Sequence, residues 1–182
     1  MQANPLPVSP PQFVVLSYMQ AKIKTLIFLI DPRTGKVALS TKKYGPAKGW
    51  YNGYGGKVEH GEDIKSAAVR ELTEECGVQA EPENLIFVAK LLFEFPHLDE
   101  DAIVYAFVIT KWNGKPQESR EMTAPEWFDL DKLPYEKMWD SDRIWVPLVL
   151  NAQNLQLGFA YQVFGRFVFD EEFKIQHWQV CT

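Results

Sequence analysis

The sequence predicts an α+β domain built in layers, on three observations. Apolar and β-branched segments of strand length recur along the 182 residues. They flank helical segments in the order strand, strand, helix, strand, strand, helix, strand. Hydrophobic residues make up 46% and aromatic residues 14%, which describes a globular chain of a size that closes one core rather than a disordered one.

The elements follow in order. Residues 1–20 carry Pro5, Pro7, Pro10 and Pro11, and proline at this density blocks regular hydrogen bonding; a proline-rich tail is expected there, ahead of one domain over residues 21–182. From Lys22 to Ile30 the chain alternates and then becomes continuously apolar, as a strand entering the middle of a sheet does. The turn Asp31–Gly35 leads to a returning strand, Lys36–Thr41. Lys42–Trp50 is a basic, glycine-containing loop, either solvated or a rim that meets phosphate. Gly53, Gly55 and Gly56 then allow the backbone to approach a ligand closely, or serve a bulged strand.

A helix starts near Asp63 and is ended by Gly77. Leu85–Phe95 and Ala102–Lys111 read as strands joined by a turn at His97–Asp101, and Asn113–Gly114 marks a further turn. Glu126–Leu130 is a short strand. Ser141 or Asp142 caps a second helix to about Ala152, with Pro147 limiting the regularity of its start. Phe159–Val168 and Phe173–Val180 alternate and pair as a final hairpin. No internal repeat or second domain is visible.

The first helix carries the chemistry. At 3.6 residues per turn, Glu71, Glu74 and Glu75 fall on one arc, which Ile64, Ala67 and Ala68 occupy one turn earlier. The face therefore changes from apolar to acidic. No Lys or Arg follows Glu71 at three or four residues, so the carboxylates repel unless a cation gathers them. A solvated face is one reading. A hard divalent cation, held by a few carboxylates together with waters and substrate phosphates, is the other.

Gly56, Glu62, Arg70-Glu71-Leu72, Glu74-Glu75 and Gly77-Val78 form an unbroken pattern: glycine, five free positions, glutamate, seven free positions, Arg-Glu-aliphatic, one free position, Glu-Glu, one free position, Gly-aliphatic. In this the chain resembles the Nudix hydrolases, whose fold is an α/β/α sandwich around a mixed β-sheet. Outside that box, Lys42-Lys43, Asn52–Lys57, Phe93-Glu94-Phe95, Glu118-Ser119, Glu121-Met122, Trp127-Phe128 and Met138-Trp139 are spaced as in the animal-type, MutT-related enzymes that act on oxidised purine nucleoside triphosphates such as 8-oxo-dGTP.

The resemblance implies hydrolysis of a phosphoanhydride in a small nucleotide, giving monophosphate and pyrophosphate, with Mg2+ as cofactor and Mn2+ as the alternative ion. It implies metal binding and catalysis by Glu71, Glu74 and Glu75 with the Gly55 carbonyl as a further ligand, and Glu121 reaching the site from a loop as metal ligand or base. Arg70 orients one of the carboxylates, and Glu62 is its partner or lies close to the metal shell. It places Asn52, Trp139 and Asp142 at the base, Thr25 and Lys42 along the pocket, and Tyr54, Gly55, Gly56 and Lys57 beside the substrate. The chain departs from the pattern at Ser141, where an acid is expected, at Pro46 in place of an aromatic residue and at Tyr51 in place of tryptophan. Asp140 or Asp142 is expected to supply what Ser141 lacks.

A formal charge of −5 and a pI near 5.3 argue against a protein that coats nucleic acid. Two isolated cysteines, Cys76 and Cys181, form no disulfide framework and suit a reducing cytosol. The longest apolar run, Leu26–Ile30, is far too short to span a bilayer, and no secretory signal is visible. A cytoplasmic protein, monomeric rather than oligomeric, is expected. Two other functions stay open: hydrolysis of ADP-ribose, a nucleoside diphosphate sugar, a dinucleoside polyphosphate or an RNA cap on the same chemistry, and a non-catalytic nucleotide-binding module.

Overall fold

The structure, a computed structural model, describes residues 21–98, 100–151 and 162–182. The expected tail over residues 1–20, Asp99 in the His97–Asp101 turn, Ala152 and residues 159–161 of the final hairpin lie outside the described residues.

Among the described residues eight strands form one mixed sheet. The strands are β1 (Lys22–Asp31), β2 (Lys36–Thr41), β3 (Tyr51–Asn52), β4 (Ile86–Glu94), β5 (Ala102–Ile109), β6 (Glu126–Asp129), β7 (Val163–Phe169) and β8 (Ile175–Cys181), and the helices are α1 (Ile64–Cys76) and α2 (Asp142–Val149). The sheet order is β3-β2-β1-β5-β4-β7-β8, with β6 also paired to β2. β1–β2, β4–β5 and β7–β8 are antiparallel neighbours, whereas β1–β5 and β4–β7 are parallel. A parallel pair requires a crossover, and α1 lies within the β1–β5 connection.

The period of two in β1 builds a core on each face. Leu26, Phe28 and Ile30 join Val104, Ala106 and Val108 of β5 under Trp145, Val146 and Val149 of α2. Ile27 and Leu29 join Phe107 and Ile109 under Ala68, Leu72 and Cys76 of α1. A helix on each side of a mixed sheet is the expected sandwich. The continuously apolar second half of β1 is accounted for by this double burial.

α1 begins where predicted: the Asp63 carboxylate accepts from the Ser66 N–H at 3.0 Å. It ends at Gly77, whose φ of +72° is left-handed and whose N–H donates to the Thr73 carbonyl at 2.8 Å. α2 stops at Val149, short of the expected Ala152, and it contains Pro147. Pro147 withholds one N–H from the ladder, yet the helix runs through it and closes with the Leu150 N–H donating to the Val146 carbonyl at 2.7 Å.

Candidate active site

The segment Tyr54–Lys57 runs antiparallel along the first half of β1. The Ile27 N–H donates to the Tyr54 carbonyl at 2.6 Å and the Thr25 N–H to the Gly56 carbonyl at 2.8 Å. Between them the Gly55 N–H donates to Glu75 Oε2 at 2.7 Å. The glycines are required by this closeness. A Cβ on Gly55 would lie 2.2 Å from the Thr25 carbonyl oxygen, and one on Gly56 would lie 2.5 Å from the Glu71 carboxylate. The glycine pair lets a backbone segment and an acidic helix meet without side chains between them.

The three carboxylates of α1 are gathered by protein cations. Arg70 donates to Glu62 with two hydrogen bonds of 2.9 and 3.0 Å, to Glu71 at 3.0 Å, to Glu74 at 3.1 Å and to the Lys57 carbonyl at 3.0 Å. Glu75 is buried and faces Lys42 of the β2–β3 loop, with Nζ to Oε1 at 3.4 Å. This corrects the expectation that no basic residue relieves the acidic arc: the Arg70–Glu74 pair has i, i+4 spacing from the N-terminal side. It also alters the expected cage. Among the described residues no three acidic, histidine or cysteine side chains close on a single point. Glu71 and Glu74 turn to Arg70, while Glu75 turns to Gly55 and Lys42.

The donor chemistry nevertheless fits a hard divalent cation. Burial pushes the carboxyls of Glu71 and Glu75 above the usual carboxylate range, against the opposing pull of Arg70 on the first and Lys42 on the second. Two desolvated carboxylates whose ionised form is still disfavoured would be stabilised by added positive charge. Glu62, held by Arg70, is shifted the other way, below its ordinary value.

Glu121 is brought near without joining the cluster. Its carbonyl accepts from the Lys43 N–H at 2.8 Å and its N–H donates to Ser119 Oγ at 3.2 Å. Its side chain is exposed, one residue along the strand register from Lys42.

A cavity of about 440 Å³ opens beside the glycine pair on the α2 face of the sheet. Leu26, Ala102 and Val104 line its floor, and Phe93, Phe95, Trp139 and Trp145 its aromatic walls. Of the residues expected at the substrate, Thr25, Lys42, Asn52, Gly55, Gly56, Lys57, Trp139 and Asp142 all border it. Tyr54 does not. It is fully buried in the α1-side core, its hydroxyl 2.9 Å from Ser40 Oγ, and burial raises its phenol well above the ordinary range. Strand alternation turns its side chain under α1, and only its backbone serves the site.

Asn52 Oδ1 accepts from the Gly53 N–H at 3.0 Å, leaving the amide NH2 as the donor available to a ligand. Asp142 is 4% exposed. Its Oδ1 accepts from Trp145 Nε1 at 3.0 Å, and burial pushes its carboxyl up to about 7 against that hydrogen bond. The Ser141 hydroxyl is buried next to it and lies within electrostatic reach of the carboxyl, but forms no well-directed hydrogen bond. Asp140 points elsewhere, to Arg143 at 2.9 Å and the Ile175 N–H at 3.1 Å. Of the two acids considered as substitutes for Ser141, only Asp142 borders the cavity. Pro46 also borders it, whereas Tyr51 packs on Phe128 and donates to Glu126 at 2.6 Å.

Trp139 has two roles. It lines the cavity and packs edge-on against Trp50, Phe169 and Phe173. Lys22, Lys24, Phe95 and Glu100 also border the cavity, and none was assigned to it from the sequence. The alternation Lys22, Lys24, Leu26 on one face of β1 carried that signal for the two lysines. No local pattern reveals Glu100.

Comparison with known proteins agrees with this geometry. The NUDIX domain model matches residues 21–149. The chain is 40% identical over 142 residues to the oxidized purine nucleoside triphosphate hydrolase of Danio rerio, covering 78% of this chain and 88% of that protein. It is 37% identical over 142 residues to the enzyme of the same name from Mus musculus, with the same coverage. A crystal structure of the MutT protein from Bacillus halodurans superposes with a TM-score of 0.71 at 23% identity, covering 87% of this chain and 97% of that one, and shares the fold.

Proposed function

The chain belongs to the Nudix family of hydrolases, and on that premise we propose that it cleaves purine nucleoside triphosphates, oxidised ones foremost, to monophosphate and pyrophosphate, and so clears them from the nucleotide pool. The observation that supports this reading is the junction at Gly55–Gly56. On one side lies the carboxylate cluster of α1, and on the other an aromatic cavity edged by Asn52 and Asp142.

In this reading the purine stacks on Trp139, a contact with an aromatic face that every base can make. The Asn52 amide and the Asp142 carboxyl meet its edge. Asp142, with its carboxyl near 7, can offer a proton or accept one at neutral pH, which suits an edge whose donors and acceptors change on oxidation. Thr25, Lys42 and Lys57 follow the substrate towards the helix.

Divalent metal is the cofactor class that Nudix hydrolases use, and Mg2+ is the ion proposed here. Glu71, Glu74, Glu75 and the Gly55 carbonyl would hold it, with Glu121 as a further acid. Bound there, it would neutralise phosphate charge and acidify water. Arg70, held fork to fork by Glu62, orients Glu71 and Glu74 through one hydrogen bond each and is a positioning residue. A helix carboxylate aligns the attacking water with the phosphorus.

No helix among the described residues is long and apolar enough to cross a membrane. The isolated thiols match a cytosolic enzyme. The decisive experiment is a Mg2+-dependent hydrolysis panel of normal and oxidised purine triphosphates, ADP-ribose and diadenosine polyphosphates with products identified. Monophosphate and pyrophosphate from the triphosphates are expected; cleavage of ADP-ribose alone would overturn the substrate.

A further inference from the structure

Lys24 stands on the cavity wall where packing alone gives no reason for a cation. Strand alternation puts Lys22 and Lys24 on the same face as Leu26, and the register sets Lys24 beside Val104 of β5 and opposite Lys57. Directly opposed residues of an antiparallel pair project to one side of the sheet, and like charges there repel. Both Lys24 and Lys57 border the cavity.

One carboxylate tempers this charge. Glu100 Oε1 lies 3.3 Å from Lys24 Nζ, while its other oxygen takes Lys22. The two lysines together hold the Glu100 carboxyl below its usual range, the Lys22 hydrogen bond being the largest single cause. Around the whole cavity four lysines, Lys22, Lys24, Lys42 and Lys57, face two acids, Glu100 and Asp142. Lys42 is committed to Glu75. The excess charge therefore sits on the Lys24–Lys57 pair, which borders the same cavity as the glycine pair.

We propose that Lys24 is a substrate-binding residue that clasps the phosphate chain of the nucleotide together with Lys57, and that Glu100 holds its ammonium group in reserve until substrate arrives. This rests on the phosphohydrolase reading above. The exchange swaps one ion pair for another and moves no proton. A polyphosphate carries more charge than one carboxylate, so the swap favours substrate. Lys22 remains on Glu100, so the carboxylate is not left unpaired. The Lys24 side chain is 38% exposed, which makes the swap open to solvent and sensitive to salt.

The test combines K24Q, K24R, E100Q and the double variant K24Q/E100Q, read by steady-state kinetics and by calorimetric binding of inorganic tripolyphosphate. K24Q is expected to raise KM for the triphosphate about tenfold with kcat little changed, the scale of one charge-assisted hydrogen bond. It should weaken tripolyphosphate binding alike, and K24R should restore both. E100Q should tighten binding two- to threefold, roughly the scale of a released surface ion pair, and lose that effect in the K24Q background. An unchanged KM and tripolyphosphate affinity in K24Q would overturn the proposal. So would an E100Q effect that persists without Lys24. Tripolyphosphate binding is independent of turnover: a wild-type protein inactive on nucleotides but binding tripolyphosphate through Lys24 would remove the proposed reaction and leave this contact standing.

Discussion

The Arg70 guanidinium lies fork to fork on the Glu62 carboxylate, Nε to Oε1 at 2.9 Å and Nη2 to Oε2 at 3.0 Å. Its remaining nitrogen valences reach Glu71, Glu74 and the Lys57 carbonyl. One planar cation thus fixes the acidic helix to the strand segment that carries the glycine pair. Lysine cannot reproduce that geometry.

R70K is therefore expected to keep the fold and lose about 10- to 100-fold in turnover or metal affinity, the usual cost of removing a group that orients metal ligands. Activity at saturating Mg2+, together with Mn2+ binding by calorimetry, checks it. A variant with both values intact would reduce Arg70 to a surface ion pair.

Two glycine substitutions should separate stability from chemistry. A Cβ at Gly53 would meet the Ile27 carbonyl oxygen at 2.4 Å, a backbone atom inside the sheet, whereas one at Gly56 would meet the Glu71 carboxylate. G53A should cost about 1–3 kcal/mol of stability because the strand must shift. G56A should be milder on stability but displace Glu71 and slow turnover sharply. Denaturant midpoints and kcat measured on both variants decide the matter.

E71Q is expected to fold and to turn over about 100-fold more slowly. Divalent ions should also raise the melting temperature of the wild type, since they bind the folded carboxylates and not the unfolded chain. That increment should shrink in E71Q and in E75Q. Equal increments in all three proteins would place the ion elsewhere.

Asp142 makes stability depend on pH. Its folded carboxyl sits near 7 against an ordinary 3.8. Below that ordinary value both folded and unfolded chains hold the proton, and no penalty exists. As pH rises towards 7 the unfolded chain releases the proton first, so stability from this group is lost across that window and is flat above it. D142N removes the dependence: its melting temperature relative to wild type should climb from pH 4 to pH 7 and then level. Relative rates among purine triphosphates should also change in D142N. A parallel pair of stability curves would sink the assignment.

W139A should raise KM about 10- to 100-fold, the scale of one lost base-stacking contact, whereas W139F should retain most of the affinity. Because Trp139 also packs on Trp50 and Phe173, melting temperature must be read alongside KM.

Elements whose signal lies in neighbouring residues are legible in the sequence. The Asp63 cap, the Gly77 stop and the bounds of β2 follow from local hydrogen bonding and period-two patterning, and they stand as expected. The carboxylates Glu71, Glu74 and Glu75 were placed on α1 in the same way. That Tyr54 turns from the cavity is not legible, because motif spacing does not say which side of a strand a residue faces. α2 follows Ser141 without a side-chain cap hydrogen bond and stops at Val149, so the expected cap fixed neither its anchoring nor its length.

By itself, then, the sequence determined which residues can form the acidic helix and where it starts and stops, since these are set by covalent spacing along one chain; the phosphate chemistry came from the resemblance of that box to the Nudix hydrolases. Only the tertiary structure decided which cation meets which acid: Lys42 reaches Glu75 across 33 positions and Lys22 reaches Glu100 across 78. Those pairings depend on the parallel docking of β1 against β5 and on the β2–β3 loop folding back. Contacts of that range are chosen by the burial of whole sheet faces, and no short stretch of residues carries them.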